Sequence, residues 1–170
     1  MTTHLYTHDI FAEHKTPAGH PERPDRIRVV ADALAHEDFA DLVRFETTMA
    51  DEAISKSAHP AAFIDSLRAQ VPADGTARIE PDTVMSPSSW DWVRHAGGGG
   101  VAAVDAVMTG SADNAFLAAR PPGHHAEKTT AMGFCFINTA AVMARHAQTK
   151  HGAERVAIVD FDVHHGNGPQ

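Results

Sequence analysis

The chain has 170 residues, 43% of them hydrophobic and 21% charged, with a formal net charge of −8. This is the composition of a globular protein long enough for one domain with a sizeable core, and it excludes a largely disordered chain. The negative balance argues against a surface built to neutralise phosphates, so no direct nucleic-acid partner is expected.

Leu5–Thr7 reads as an opening strand and His8–Pro24, rich in His and Pro, as a loop. Across Arg26–Phe39 the residues Ile27, Val30, Ala31, Leu34 and Ala35 form the stripe of an amphipathic helix. Leu42–Thr47 has strand character, and Asp51–Lys56 is helical until His59-Pro60 breaks the pattern. Ala61–Gln70 gives a further helix with Phe63, Ile64 and Leu67 on one face, and Val71–Pro87 reads as an extended surface loop.

Ser88–Met108 is mostly helical, interrupted by Gly97–Gly100. The run formally fits a dinucleotide-binding turn as Gly98-x-Gly100-x-x-Ala103. The residues before it, Trp90–Arg94, look helical where that turn needs a strand, so close helix packing or a helix break is expected. Ala115–Ala119 is a short apolar run that ends at Arg120-Pro121-Pro122-Gly123. Thr139–Thr149 is an alanine-rich helix, and Arg155–Asp162 is a buried-type strand ending in carboxylates. Strands alternating with helices predict an open parallel sheet with helices on both faces, whose ligands bind beyond the carboxyl ends of the strands. Those ends are Arg120–His125 and Asp160–Asn167.

The single cysteine, Cys135, excludes an intrachain disulfide and fits a reducing compartment. It lies between two phenylalanines with no basic neighbour, as a buried inert thiol would. No apolar run approaches the roughly 20 residues that span a bilayer, and Met1–His4 opens no basic-then-apolar leader. A cytoplasmic location and no membrane partner are therefore expected. The oligomeric state, a homo-oligomer included, is left open.

Histidine is over-represented, at 13 residues. His36, His59, His95, His146 and His151 read as solvated surface residues. The doublets His124-His125 and His164-His165 sit at the strand ends. In an extended chain Asp160, Asp162 and His164 share a face, and a carboxylate with an imidazole two residues on can grip zinc or another first-row transition metal. The stiff Pro121-Pro122-Gly123 turn holds His124 and His125 where they can move protons to and from a metal-activated water.

Four further stretches carry a resemblance: His20–Arg26, Asp82–Trp90, Gly133-Phe134-Cys135-Phe136-Ile137-Asn138 and Asp160–Gly168. Together with Arg120–His125 they resemble the zinc-dependent histone deacetylase family, in its class II-like branch with bacterial amidohydrolases and acetylpolyamine amidohydrolases. The resemblance implies an arginase/deacetylase-like three-layer α/β fold and hydrolysis of an acetylated lysine side chain or acetylated small amine. It implies Asp162 and His164 as zinc ligands and His125 as general base beside His124. Asp160 and Asn167 would be the partners that orient the two histidines. Gly133 and Phe134 match the wall of the acyl-lysine tunnel, Asp82 a rim acid and Arg26 an arginine beneath the site. The family often also binds potassium through backbone carbonyls around Asp160, Asp162 and His164.

The family's third zinc ligand, an aspartate, and its oxyanion-stabilising tyrosine lie downstream of the His164–Gly168 run, and the one tyrosine here is Tyr6. The chain thus reads as the N-terminal part of a single deacetylase-like catalytic domain, inactive and aggregation-prone by itself, with Arg155–Asp162 an uncovered apolar edge strand. Two other readings are a non-catalytic metal-binding or interaction module on the same fold and a manganese hydrolase of arginase type. Pro121-Pro122-Gly123-His124-His125 does not fit the latter.

Overall fold

A computed structural model describes residues 1–170. β1 (Thr3–Thr7) is the central strand of a three-stranded parallel sheet in the order β2–β1–β5, with β2 at Val43–Glu46 and β5 at Asn114–Leu117. Leu5 stands opposite Arg44 on one side and Phe116 on the other. Because the strands are parallel, their carboxyl ends share one rim, and the loops that follow β1 and β5 leave from it.

α1 (Asp25–Leu34) turns Ile27 into the core and ends earlier than its stripe predicts, giving way to a 3-10 turn at Glu37–Phe39. α2 (Glu52–Ser55) is capped by Asp51, whose Oδ1 accepts from Ala53 N at 2.8 Å. α3 (Ala61–Ala69) begins after Pro60 and buries Ile64 and Leu67. These join Leu5, Met85, Trp90, Trp92, Val93 and Phe136 in one core.

The stretch expected as a surface loop, Val71–Pro87, instead contains an antiparallel hairpin, β3 (Ala77–Glu80) with β4 (Thr83–Met85). Its prolines Pro72, Pro81 and Pro87 all fall outside the paired residues, so they remove no ladder hydrogen bond. β4 is buried throughout.

α4 runs unbroken from Ser89 to Met108, straight through the four glycines. A Cβ on Gly98 would fall on the Thr48 carbonyl oxygen, and one on Gly99 would lie 2.8 Å from Leu117 Cδ1. The glycines therefore let α4 press its backbone onto the sheet and the β2 exit, outweighing their helix penalty of about 1 kcal/mol each. Of the two outcomes expected there, close packing is what forms, and no break occurs. The run lies inside the helix rather than at its N-terminus, so it presents no free backbone N–H groups to a phosphate.

α5 (Thr139–His151) is capped by Asn138, whose Oδ1 accepts from Ala141 N at 2.9 Å, and stops at Gly152 in the left-handed region. The strand expected at Arg155–Asp162 does not form. Residues 155–164 make no backbone–backbone hydrogen bond, and Val159, Phe161 and Val163 are 82%, 95% and 94% exposed. An apolar run supplies side chains for a strand but not the neighbour that defines one, and this segment stands clear of β5. No helix is long and apolar enough to cross a membrane.

Candidate active site

The loops after β1 and β5 are locked together beneath the rim. Arg120 donates from Nε and Nη2 to Glu22 Oε1 and Oε2, both at 2.7 Å, and from Nη1 to the carbonyls of Phe11 and His14, both at 2.8 Å. Both side chains are almost fully buried. A bidentate pair with its remaining donor capacity used is the arrangement that makes a buried charge pair tolerable. It fixes the base of the turn that carries His124 and His125.

Above it the two imidazoles lie 4.1 Å apart, centroid to centroid. His124 Nδ1 bonds Asp160 Oδ2 at 2.9 Å, and His125 Nδ1 bonds Asn167 Oδ1 at 2.8 Å. The Asn167 amide nitrogen donates to Glu127 Oε1 at 2.8 Å and to the His125 carbonyl at 3.4 Å, both pure acceptors. That fixes Oδ1 toward the ring, so His125 carries its proton on Nδ1 and keeps the Nε2 lone pair. The Asp160 carboxylate can balance a positive charge on His124, whereas the neutral Asn167 amide cannot do so for His125. The hydrogen bond from His124, with one from the Asp162 N–H, holds the Asp160 carboxyl below the usual range.

Asp162 and His164 face the pair. His164 N and Nδ1 lie 2.8 and 2.9 Å from Asp162 Oδ1, and the backbone N–H and then the ring hold this carboxyl low as well. The His164 ring is 6.0 Å from that of His125. One carboxylate oxygen and one imidazole nitrogen side by side are a donor set that suits zinc, and no further His, Cys, Asp or Glu joins them at ligating distance. His165 turns away, toward Gln170.

The opposite wall is a tight turn in which Met132 and Cys135 exchange backbone hydrogen bonds, with Gly133 at φ 56° and Phe134 at φ 69°. Two left-handed central residues make it a type I′ turn, which glycine adopts freely and phenylalanine does not. Phe134 N donates to Thr83 Oγ1 at 3.0 Å, tying the turn to β4. A Cβ on Gly133 would clash with Cδ2, Cγ and Cβ of His125, so the turn backs directly onto the imidazole. Cys135 behind it is fully buried, and burial pushes its thiol up to about 12, as expected of an inert cysteine.

These groups enclose a cleft of about 390 Å³ lined by His124, His125, Asp162, His164, Gly133, Phe134, Asp82 and Arg26, with Pro21, Glu22 and Pro122 completing it. Asp160 and Asn167 stand behind the two histidines. The sequence reading gave no role to Glu22, to Glu127 behind Asn167, or to His20. The last packs edge-on against Phe134 at 5.0 Å and bonds the Asp82 carbonyl. Glu22 and His20 fall within a stretch singled out above, but nothing in its spacing tells a buried anchor from a surface residue.

The expectation of five solvated histidines holds for His36 alone. His59 and His95 are buried, because the first bridges the Lys128 carbonyl and the Asn138 N–H and the second packs on Thr47. His146 and His151 are part-buried and turn toward Asp105.

The histone deacetylase domain model matches residues 20–170. The chain belongs to the histone deacetylase family. It is 39% identical over 155 residues to a histone deacetylase-like amidohydrolase of Pseudomonas aeruginosa, covering 90% of this chain and 40% of that one. It is 35% identical over 156 residues to human polyamine deacetylase HDAC10, covering 88% and 23%. The crystal structure of the HDA15 HD domain superposes with a TM-score of 0.92 at 34% identity, covering 99% of this chain and 49% of that one. The fold is thus the deacetylase α/β fold, and the chain spans less than half the length of these three relatives.

Proposed function

We propose that the cleft hydrolyses the acetyl amide of an acetylated lysine side chain or an acetylated small amine, with a zinc ion held by Asp162 and His164. The observation that carries this reading is the convergence of two protonation-competent imidazoles, a carboxylate–imidazole donor pair and an aromatic wall on one cleft. Zinc, when bound, supplies Lewis acidity toward an amide carbonyl and toward water. His125 accepts the proton of the attacking water at Nε2, since its Nδ1 is committed to Asn167. His124, with Asp160 balancing its charge, delivers a proton to the departing amine as the C–N bond breaks and acetate forms. Phe134 and Gly133 flank the substrate's methylene chain, and Asp82 and Arg26 meet its polar end. A potassium ion on backbone carbonyls near Asp160 and Asp162 belongs to the same proposal.

A catalytic zinc takes about three protein ligands, and this chain brings two together, which favours a second reading: a metal-binding module without turnover. Acetate release is measured from an acetyl-lysine peptide and an acetylated polyamine, with and without chelator. It is compared between these 170 residues and a chain extended to its relatives' length. Turnover is expected in the extended chain alone, abolished by chelation and cut at least about 100-fold by His125→Ala. Metal bound without turnover in both chains would leave the module reading, and chelator-insensitive turnover would remove zinc from the proposal.

A further inference from the structure

Away from the cleft, three side chains meet between α4 and α5 with no role in the chemistry above. Asp105 of α4 accepts on one oxygen, Oδ1, from His146 Nε2 at 2.7 Å and His151 Nε2 at 2.6 Å, both on α5. The three atoms all lie within 4.8 Å of one another, and the two rings stand 5.7 Å apart at 75°. Helix periodicity does not explain the meeting. Residues five apart point roughly 140° away from each other on an ideal helix. They meet through Asp105 at the very end of α5, whose last residue is His151 and after which Gly152 turns the chain at φ 70°.

We propose that Asp105, His146 and His151 form a second metal site, one that takes a first-row divalent cation of the zinc, cobalt or nickel kind. Two imidazole nitrogens and one carboxylate oxygen are the donors such ions prefer, whereas calcium and magnesium take oxygen sets. The set carries one negative charge when the rings are neutral, and three protein ligands leave an outer position for water. The histidines are 17% and 15% exposed and Asp105 45%, so the donors are held from behind while the mouth stays open to solvent. Seating an ion at about 2.0–2.2 Å from each donor spreads the donors to roughly 3.2–3.6 Å apart. From 2.6–2.7 Å this is a shift of less than about 1 Å, within reach of the half-exposed Asp105 side chain. The ion would clamp the last turn of α5 to α4 and so fix the point from which the chain sets out toward Asp160, Asp162 and His164.

The site stands independently of the hydrolase reading and is tested without any activity assay. In the full chain, a background with Asp162→Ala and His164→Ala silences the cleft. Metal-free protein of this background is titrated with cobalt(II), following visible ligand-field absorption and thermal unfolding. One equivalent is expected to bind and raise the melting temperature. Adding Asp105→Asn, His146→Gln or His151→Gln should weaken binding at least tenfold and remove the melting shift. Far-UV circular dichroism verifies that these part-exposed substitutions leave the fold intact. If the background binds no cobalt, or binds it equally well after those substitutions, the cluster is a carboxylate held by two hydrogen bonds and the proposal fails.

Discussion

Asn167 and His125 face each other with the amide oxygen 2.8 Å from Nδ1, and Glu127 takes the amide nitrogen on the far side at 2.8 Å. The three residues form a relay that sets which nitrogen of His125 faces the cleft. Asn167→Ala should lower kcat by about 10–100-fold in an active deacetylase chain while leaving KM nearly unchanged, because it frees the ring to change tautomer. Asn167→Asp keeps an oxygen acceptor and should retain more activity than Asn167→Ala. Equal losses in both variants would remove tautomer control as the role of Asn167.

Gly133→Ala brings a Cβ into clash with the His125 side chain and also strains a residue at φ 56°. A loss of turnover of at least about 100-fold is expected, against a stability cost of only about 1–2 kcal/mol in urea unfolding. A variant with normal turnover would show that the imidazole is free to move aside.

Gly98→Ala and Gly97→Ala should move stability in opposite directions although both put a better helix former into α4. A Cβ on Gly97 meets only Ala50 Cβ at 3.8 Å, so that change should stabilise by up to about 1 kcal/mol. On Gly98 it meets the Thr48 backbone, and overpacking of about 1–3 kcal/mol should exceed the propensity gain. Urea midpoints of the two variants give the comparison directly.

Glu22→Gln leaves Arg120 charged and buried without its counterion, with an expected cost of about 3–5 kcal/mol by chemical denaturation. Replacing both partners with apolar residues of similar size should recover part of that loss. Failure of the double variant to recover any would show that the carbonyls of Phe11 and His14 depend on the Arg120 donors for more than the charge balance.

Burial, reinforced by the Arg120 guanidinium, pushes His14 down to about 3. Its folded value lies below the ordinary 6.5, so the unfolded chain takes up the proton first as the solution is acidified. The stabilising contribution is complete above about pH 6.5 and is lost as pH falls from there toward about 3, at a limiting slope of about 1.4 kcal/mol per pH unit. Burial lowers His59 and His95 as well, with the same sign. His14→Gln should reduce the slope of unfolding free energy against pH between about 6 and 4 by up to one proton's worth.

The parts legible in the sequence were those written in local pattern. The stripe from Ile27 to Leu34, the break at Pro60, and the strand-end histidines all depend on near neighbours in the chain. Composition misled where packing overrides propensity. Gly97–Gly100 stays helical because the sheet lies against it, and Thr83–Met85 pairs because three prolines miss the ladder. The strand at Arg155–Asp162 failed for the converse reason, since its apolar pattern needs a partner that local sequence cannot supply. Burial of His59 and His95 was likewise invisible, because their partners lie far away in sequence.

The hydrogen bond from Phe134 N to Thr83 Oγ1 gives the hairpin a second part in the cleft, beside the Asp82 that its turn places on the lining. A conservative exchange such as Thr83→Val keeps the hairpin's shape yet unhooks the aromatic wall. Damage of this kind would be felt as poor discrimination among acyl groups in a molecule that melts almost normally, and a survey confined to residues contacting the substrate would overlook it.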